Sequence, residues 1–292
     1  MTERTVTGNL PARFVDTHVH FWDRSVDGLE WPMLEVGFRY PLHRFDTGRF
    51  GAEEFRKETA GTNVTKVVHV QAASTASPPL ETAWLQSMAD QHGWPNGIIG
   101  LCDLSADDAP AILDGHARHP NFRGVRDLGT GPSLATPAFD RGARALRRHD
   151  ARCELTVRWP FFEAVAAAAQ RHSDVMFVLE HAGSPDERSD AYFADWSSQL
   201  RRVAEADNVV CKISGLAIGD HEWTAARLRR WVLECIELFG IERCMFASNW
   251  PVDKLFGTWL EMVGAFAEIV ADFSPGERDA LFAGTAEQVY RI

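Results

Sequence analysis

The chain has 292 residues, with 30 Lys and Arg against 41 Asp and Glu, a formal net charge of −11. That balance argues against nucleic acid as a partner, since phosphate binding needs a basic surface. Hydrophobic residues at 45% and charged residues at 24% exclude a disordered chain. No apolar run approaches the roughly 20 residues of a membrane helix, and the first fourteen residues lack the apolar core of a secretory signal. The five cysteines have no CxxC spacing and read as buried, reduced thiols of a cytoplasmic protein.

Short apolar, β-branched runs recur along the chain: Arg13–His18, Lys66–Gln71, Gly97–Asp103, Phe122–Asp127, Cys153–Arg158, Val175–Glu180, Val209–Ser214 and Arg243–Ser248. Near-continuous apolar runs of this kind predict parallel strands covered on both faces. Between them, apolar residues at helical spacing predict helices over Leu80–Gln91, Ala109–Arg118, Arg141–His149, Phe161–Arg171, Asp190–Ala206, Thr224–Phe239 and Phe256–Ala271. Eight strands alternating with helices predict a single (β/α)₈ TIM barrel over residues 1–292. An open doubly wound sheet is the alternative, but neither GxGxxG nor GxxxxGK[ST] is present to support its nucleotide-binding forms. The stretch 21–50 after the first strand carries Trp22, Trp31, Phe38 and Tyr40. It suits a lid or pocket wall, and equally a subunit contact and hence a homo-oligomer.

Active sites of such barrels form at the C-terminal ends of the strands. The first strand runs into Asp16-Thr17-His18-Val19-His20. Residues two apart point to the same side, so His18 and His20 enter the mouth together, a pairing suited to a divalent cation such as zinc. The sixth strand ends in Glu180-His181-Ala182-Gly183, which supplies a third imidazole. Three ligands with an open position describe a catalytic metal site. The alternative for His181, and more strongly for His69 beside Gln71 on the second strand, is a hydrogen-bonded core histidine. Arg123 and Arg126 on the fourth strand and Arg158 on the fifth suit recognition of an anionic or oxygen-rich small molecule, unless they are spent on salt bridges inside the barrel. Lys212 and Ser214 share a face of the seventh strand as polar wall candidates.

The segments VDTHVHFWD, VVHVQAA, FRGVRDLG, FVLEHAG, CKISGL and RCMFASNWPVDKL resemble, in this order and over nearly the whole chain, the lactonase-like branch of the amidohydrolase superfamily (amidohydrolase 2). That branch includes sugar-lactone hydrolases, muconolactone-type hydrolases and 2-pyrone-4,6-dicarboxylate lactonase. The resemblance independently implies the barrel. It matches His18 and His20 to the family's strand-one histidines, and His181 to the one after strand six. The family aspartate that activates water falls on Asn249 here, and an amide is not a general base. The nearest carboxylate, Asp253, is the replacement candidate, with helix capping as its alternative role. The family implies a divalent metal, zinc foremost, although some members work without one.

The expected activity is therefore opening of a small lactone. A metal on His18, His20 and His181 polarises the carbonyl, and Asp253 or a histidine takes the water's proton. Gln71, Arg126, Arg158 and Ser214 hold substrate oxygens, while Trp22, Trp31 and Trp250 wall the site. In a metal-free version the three histidines donate hydrogen bonds to the oxyanion. Two alternatives stand beside it: a metal-dependent decarboxylase of an aromatic or enoic acid, against which Asn249 counts, and a non-catalytic binding protein on the same scaffold.

Overall fold

The structure is a computed structural model that describes residues 10–129 and 131–292. Among the described residues there are ten strands: β1 (Phe14–Val19), β2 (Trp22–Asp23), β3 (Arg49–Phe50), β4 (Val64–Val70), β5 (Gly97–Leu101), β6 (Phe122–Asp127), β7 (Arg152–Leu155), β8 (Phe177–Leu179), β9 (Val209–Ile213) and β10 (Cys244–Phe246). Eight of them form one parallel sheet in the order β1-β4-β5-β6-β7-β8-β9-β10. The ring closes where Val19 bridges Trp250 in parallel, with the His20 amide donating to the Trp250 carbonyl at 2.8 Å. All eight predicted strands are thus present. Their continuous apolar runs follow from burial on both faces: every residue of β1 and β9 is buried.

Outside the sheet lie α1 (Ala52–Glu58), α2 (Pro79–His92), α3 (Ala109–His116), α4 (Pro137–Arg147), α5 (Phe162–Arg171), α6 (Asp190–Ala204), α7 (Ala225–Phe239) and α8 (Trp259–Ile269). Their starts are set locally. Thr136, Ser189, Thr224 and Thr258 each accept a hydrogen bond from the amide three residues on, satisfying a donor the helix itself leaves free. Two further helices, α9 (Pro275–Asp279) and α10 (Thr285–Tyr290), finish the chain; these and α1 lie beyond the predicted set. Val289 and Tyr290 pack against Val15, Val68, Ile99, Val178 and Val210, so α10 forms the floor of the barrel. All five cysteines are buried free thiols, as expected. The 21–50 stretch contains a two-residue antiparallel hairpin, β2 with β3, and two short 3₁₀ turns, Pro32–Leu34 and Leu42–Phe45.

Candidate active site

The mouth of the barrel holds a cavity of about 500 Å³, lined at its base by His20, Gln71, Arg126, Thr156, His181 and Asn249. Each arrives from the C-terminal end of a strand or the turn just after it.

His18 and His20 leave β1 on the same side, and their Nε2 atoms lie 3.2 Å apart. Nδ1 of His20 is 2.9 Å from the Val70 carbonyl, which can only accept. His20 therefore carries its proton on Nδ1 and presents a lone pair at Nε2. Without a cation, His18 must donate its Nε2 proton to that lone pair, and its buried Nδ1 is then left with no partner. Nδ1 of His181 lies 2.9 Å from the Ser214 hydroxyl, and its ring centroid is 4.4 Å from that of His18.

His181 is aimed by an unusual stretch of backbone. His181, Ala182, Gly183 and Ser184 all have positive φ, as does Asn249 at 56°. For non-glycine residues this costs about 1–3 kcal/mol each, and such strain gathers at functional sites. Two glycines make the room: a side chain at Gly183 would collide with Phe162, and a Cβ at Gly215 would sit 2.7 Å from His181 Nδ1.

Glu180 lies directly beside this trio. Its Oε2 accepts from Arg126 Nη2 at 2.9 Å and from the Thr156 hydroxyl, while its buried Oε1 has no partner. Burial opposes its ionisation, but the charge of Arg126 wins and brings its pKa down to about 2. Burial drives the histidines the other way, His181 to about 4 and His18 and His20 well below the usual imidazole range, with Arg126 and Lys212 helping to lower His181. All three imidazoles are uncharged at neutral pH, the state a metal ligand needs.

This donor set fits a divalent cation. Ligand atoms of His18, Glu180 and His181 lie within 4.8 Å of one another. The 3.2 Å between the Nε2 atoms of His18 and His20 is close to the separation of about 3.3 Å that two nitrogens share on a tetrahedral zinc. Glu180 Oε1, a buried acceptor, lacks a partner, and the hydrogen bonds on Nδ1 of His20 and His181 are the kind that orient metal-binding imidazoles.

Other expectations divide. Gln71, Arg126, Arg158 and Asn249 line the cavity, as do Phe38 and Tyr40 from the long first loop. Arg126 is spent on Glu180, and Arg158 is 2.6 Å from Asp186. Ser214 supports His181 from behind rather than facing the cavity. Asp253 also stands behind the lining: its Oδ1 accepts from the Asn249 amide at 2.8 Å, its Oδ2 has no partner, and burial raises its pKa to about 8.

Four sets of residues stand apart from the cavity. Trp22 stacks on Phe50 at 5.1 Å because the β2–β3 hairpin turns it into the core, and Trp31 packs on Trp84. Trp250 is buried with its indole donating to Glu58 at 2.7 Å. None of these tryptophans lines the cavity. His69 is a core histidine, taking the Phe21 amide on Nδ1 at 3.1 Å and facing Glu81 on Nε2 at 3.3 Å. Arg123 lies three residues before Arg126, on the opposite face, and bonds the Pro120 and Phe122 carbonyls. Lys212 is a wall of nothing: it is buried inside the barrel against Glu154 at 2.6 Å. Glu180, by contrast, was visible in the sequence beside His181 but had no role.

Residues 15–292 match the family model described as amidohydrolase (Amidohydro_2), so the chain belongs to that family. It is 34% identical, over 95% of its length and 98% of the relative's, to an uncharacterised protein of Sinorhizobium fredii. It is 29% identical, over 95% of each chain, to an L-fucono-1,5-lactonase of Burkholderia ambifaria. Its fold resembles the crystal structure of an amidohydrolase from Burkholderia multivorans with bound zinc, with a TM-score of 0.82, 26% identity, and 96% of this chain and 100% of that one covered.

Proposed function

We propose that this protein hydrolyses the acyl C–O bond of a small lactone, releasing a hydroxycarboxylate and a proton. The observation that carries the reading is the convergence of His18, His20 and His181, all uncharged, at the base of a cavity in the mouth of the barrel. The L-fucono-1,5-lactonases among the relatives support the reaction class.

His18, His20 and His181, with Glu180 beside them, are the residues that would hold a divalent cation, zinc by the chemistry of three imidazoles. Such an ion would polarise the lactone carbonyl and lower the pKa of the attacking water. Asn249 orients that water. With its Nδ2 held by Asp253, its side-chain oxygen is left to accept from the water. In the form without a cation the proton passes to a histidine of the trio, because Asp253 stands behind Asn249 and burial raises its pKa to about 8. Ser214 sets the proton on His181: when the hydroxyl accepts from Nδ1, Nε2 offers a lone pair; when it donates, Nε2 carries a proton toward the carbonyl oxygen. Gln71 and Arg158 hold the ring oxygens and the carboxylate formed.

The test is proton release by the purified protein on a panel of lactones, with and without a chelator. Turnover that is lost on chelation and restored by zinc supports the metal-bound form. Turnover that survives chelation supports the histidines as hydrogen-bond donors. Silence across the panel, with metal supplied, overturns the reading.

A further inference from the structure

The cavity has two zones of opposite character. Its base is polar, made of strand ends, whereas the loops contribute a mainly apolar outer wall: Met33, Phe38 and Tyr40 from the first loop, with Arg39 between them, and Leu128, Ile218 and Val252. At about 500 Å³ the volume falls in the range of roughly 300–1,000 Å³ typical of sites that bury a drug-sized ligand, well beyond what a bare ring of five or six atoms fills.

The outer wall also leaves apolar surface uncovered. Phe38 is 40% exposed and Leu128 53% exposed, and Val36, in the same loop, is 86% exposed. Exposed apolar groups gathered at a cavity mouth mark a surface that a ligand covers.

Several polar groups of the cavity, meanwhile, are already engaged with one another. Arg126 donates to Glu180, Thr156 and the Gln71 carbonyl. Arg158 pairs with Asp186, which also takes the Tyr192 hydroxyl at 2.9 Å. The Gln71 amide donates to the Ala73 carbonyl at 2.7 Å. A polyhydroxylated ring entering this site would have to compete with these pairs for part of its hydrogen bonding.

Resting on the lactonase reading, we propose that the substrate is a lactone bearing an extended apolar substituent, alkyl or aryl, and that the outer wall formed by Met33, Phe38, Tyr40, Leu128 and Ile218 selects for it. The substituent takes no part in the bond changes. Water adds to the acyl carbon, the ring C–O bond breaks, and the alkoxide leaving group takes a proton to become the hydroxyl of the product. The apolar arm anchors the ring against the polar base, so that its binding is realised as rate.

The test uses δ-lactones that differ only in the ring substituent: none, methyl, pentyl, phenyl, and a polyhydroxylated member. The matching δ-lactams, which resist hydrolysis, are measured for binding by calorimetry. Each methylene buried raises kcat/KM about fourfold, and the polyhydroxylated member falls below the unsubstituted ring. Phe38→Ala and Leu128→Ala each shrink the pentyl-to-unsubstituted ratio of kcat/KM by about fivefold or more. Both side chains are partly exposed, so folding is preserved, and unchanged thermal melts verify it. A flat series, or a best substrate rich in hydroxyls, overturns the proposal. If no lactone turns over but pentyl lactam binds more tightly than the parent and Phe38→Ala removes the difference, the apolar chamber stands and the hydrolytic reading falls. Equal lactam affinities overturn the chamber whatever the turnover.

Discussion

The two ends of this barrel both bury charge, and they do so in opposite ways. At the floor, Lys212 donates to Glu154 at 2.6 Å and the Tyr290 hydroxyl donates to the other Glu154 oxygen at 2.5 Å, closing a cluster in which both carboxylate oxygens are satisfied. At the mouth, His18 Nδ1, Glu180 Oε1 and Asp253 Oδ2 are buried with no partner. A complete polar cluster stabilises one packing of the core, whereas an incomplete one is tolerated where something else is to be bound. The floor is built for the fold and the mouth for chemistry.

Substitutions at the two ends should therefore fail differently. The largest effect is expected at the mouth: His181→Ala lowers kcat on the preferred lactone by about a thousandfold while leaving the melting temperature near that of the parent. A large loss of stability would place His181 with the floor. At the floor, Lys212→Met strands Glu154 and costs about 3–5 kcal/mol in urea unfolding, most of which the double change Lys212→Met, Glu154→Leu recovers. Failure of the double to recover would mean that the pair reaches into the site. Ser214→Ala removes only the partner of His181 Nδ1, and a 10- to 100-fold loss of activity or metal affinity, of the order given by orienting hydrogen bonds about a metal, is expected. A last effect concerns pH. The folded-state pKa of Asp253, raised to about 8 by burial, makes its contribution to stability greatest below about pH 4 and progressively lost as pH rises toward 8. Asp253→Asn should flatten the melting temperature over that window, and an unchanged slope would show that Asp253 ionises freely.

The same division explains what could be read from the sequence. The eight barrel strands were legible because burial on both faces leaves an apolar run, and His18 with His20 because a strand keeps residues two apart on one side. Glu180 was not, since it is next to His181, and strict alternation sends neighbours to opposite faces. The left-handed turn that starts at His181 breaks that alternation and lets both face the site. Trp22 misled for a related reason: its side is decided by a two-residue hairpin with a partner at Phe50, too short to leave any periodic signal. Asp253 was correctly close to the site, but only Asn249's backbone, at φ 56°, reveals that the amide and not the carboxylate faces the cavity.

The floor carries a consequence for biosynthesis. Arg13, just before the first barrel strand, is clamped by Asp279 and Glu287, and Lys66 on the second holds Glu287 and the Ile292 carbonyl. A chain emerging from the ribosome makes the first two barrel strands early, yet the residues that lock them arrive more than 200 positions later. Through most of translation the nascent sheet has an open edge at β1 and an unplugged interior, the surfaces on which incomplete barrels stick to one another. Truncation by even a single turn at the C-terminus should hurt soluble yield far more than its distance from the histidines suggests.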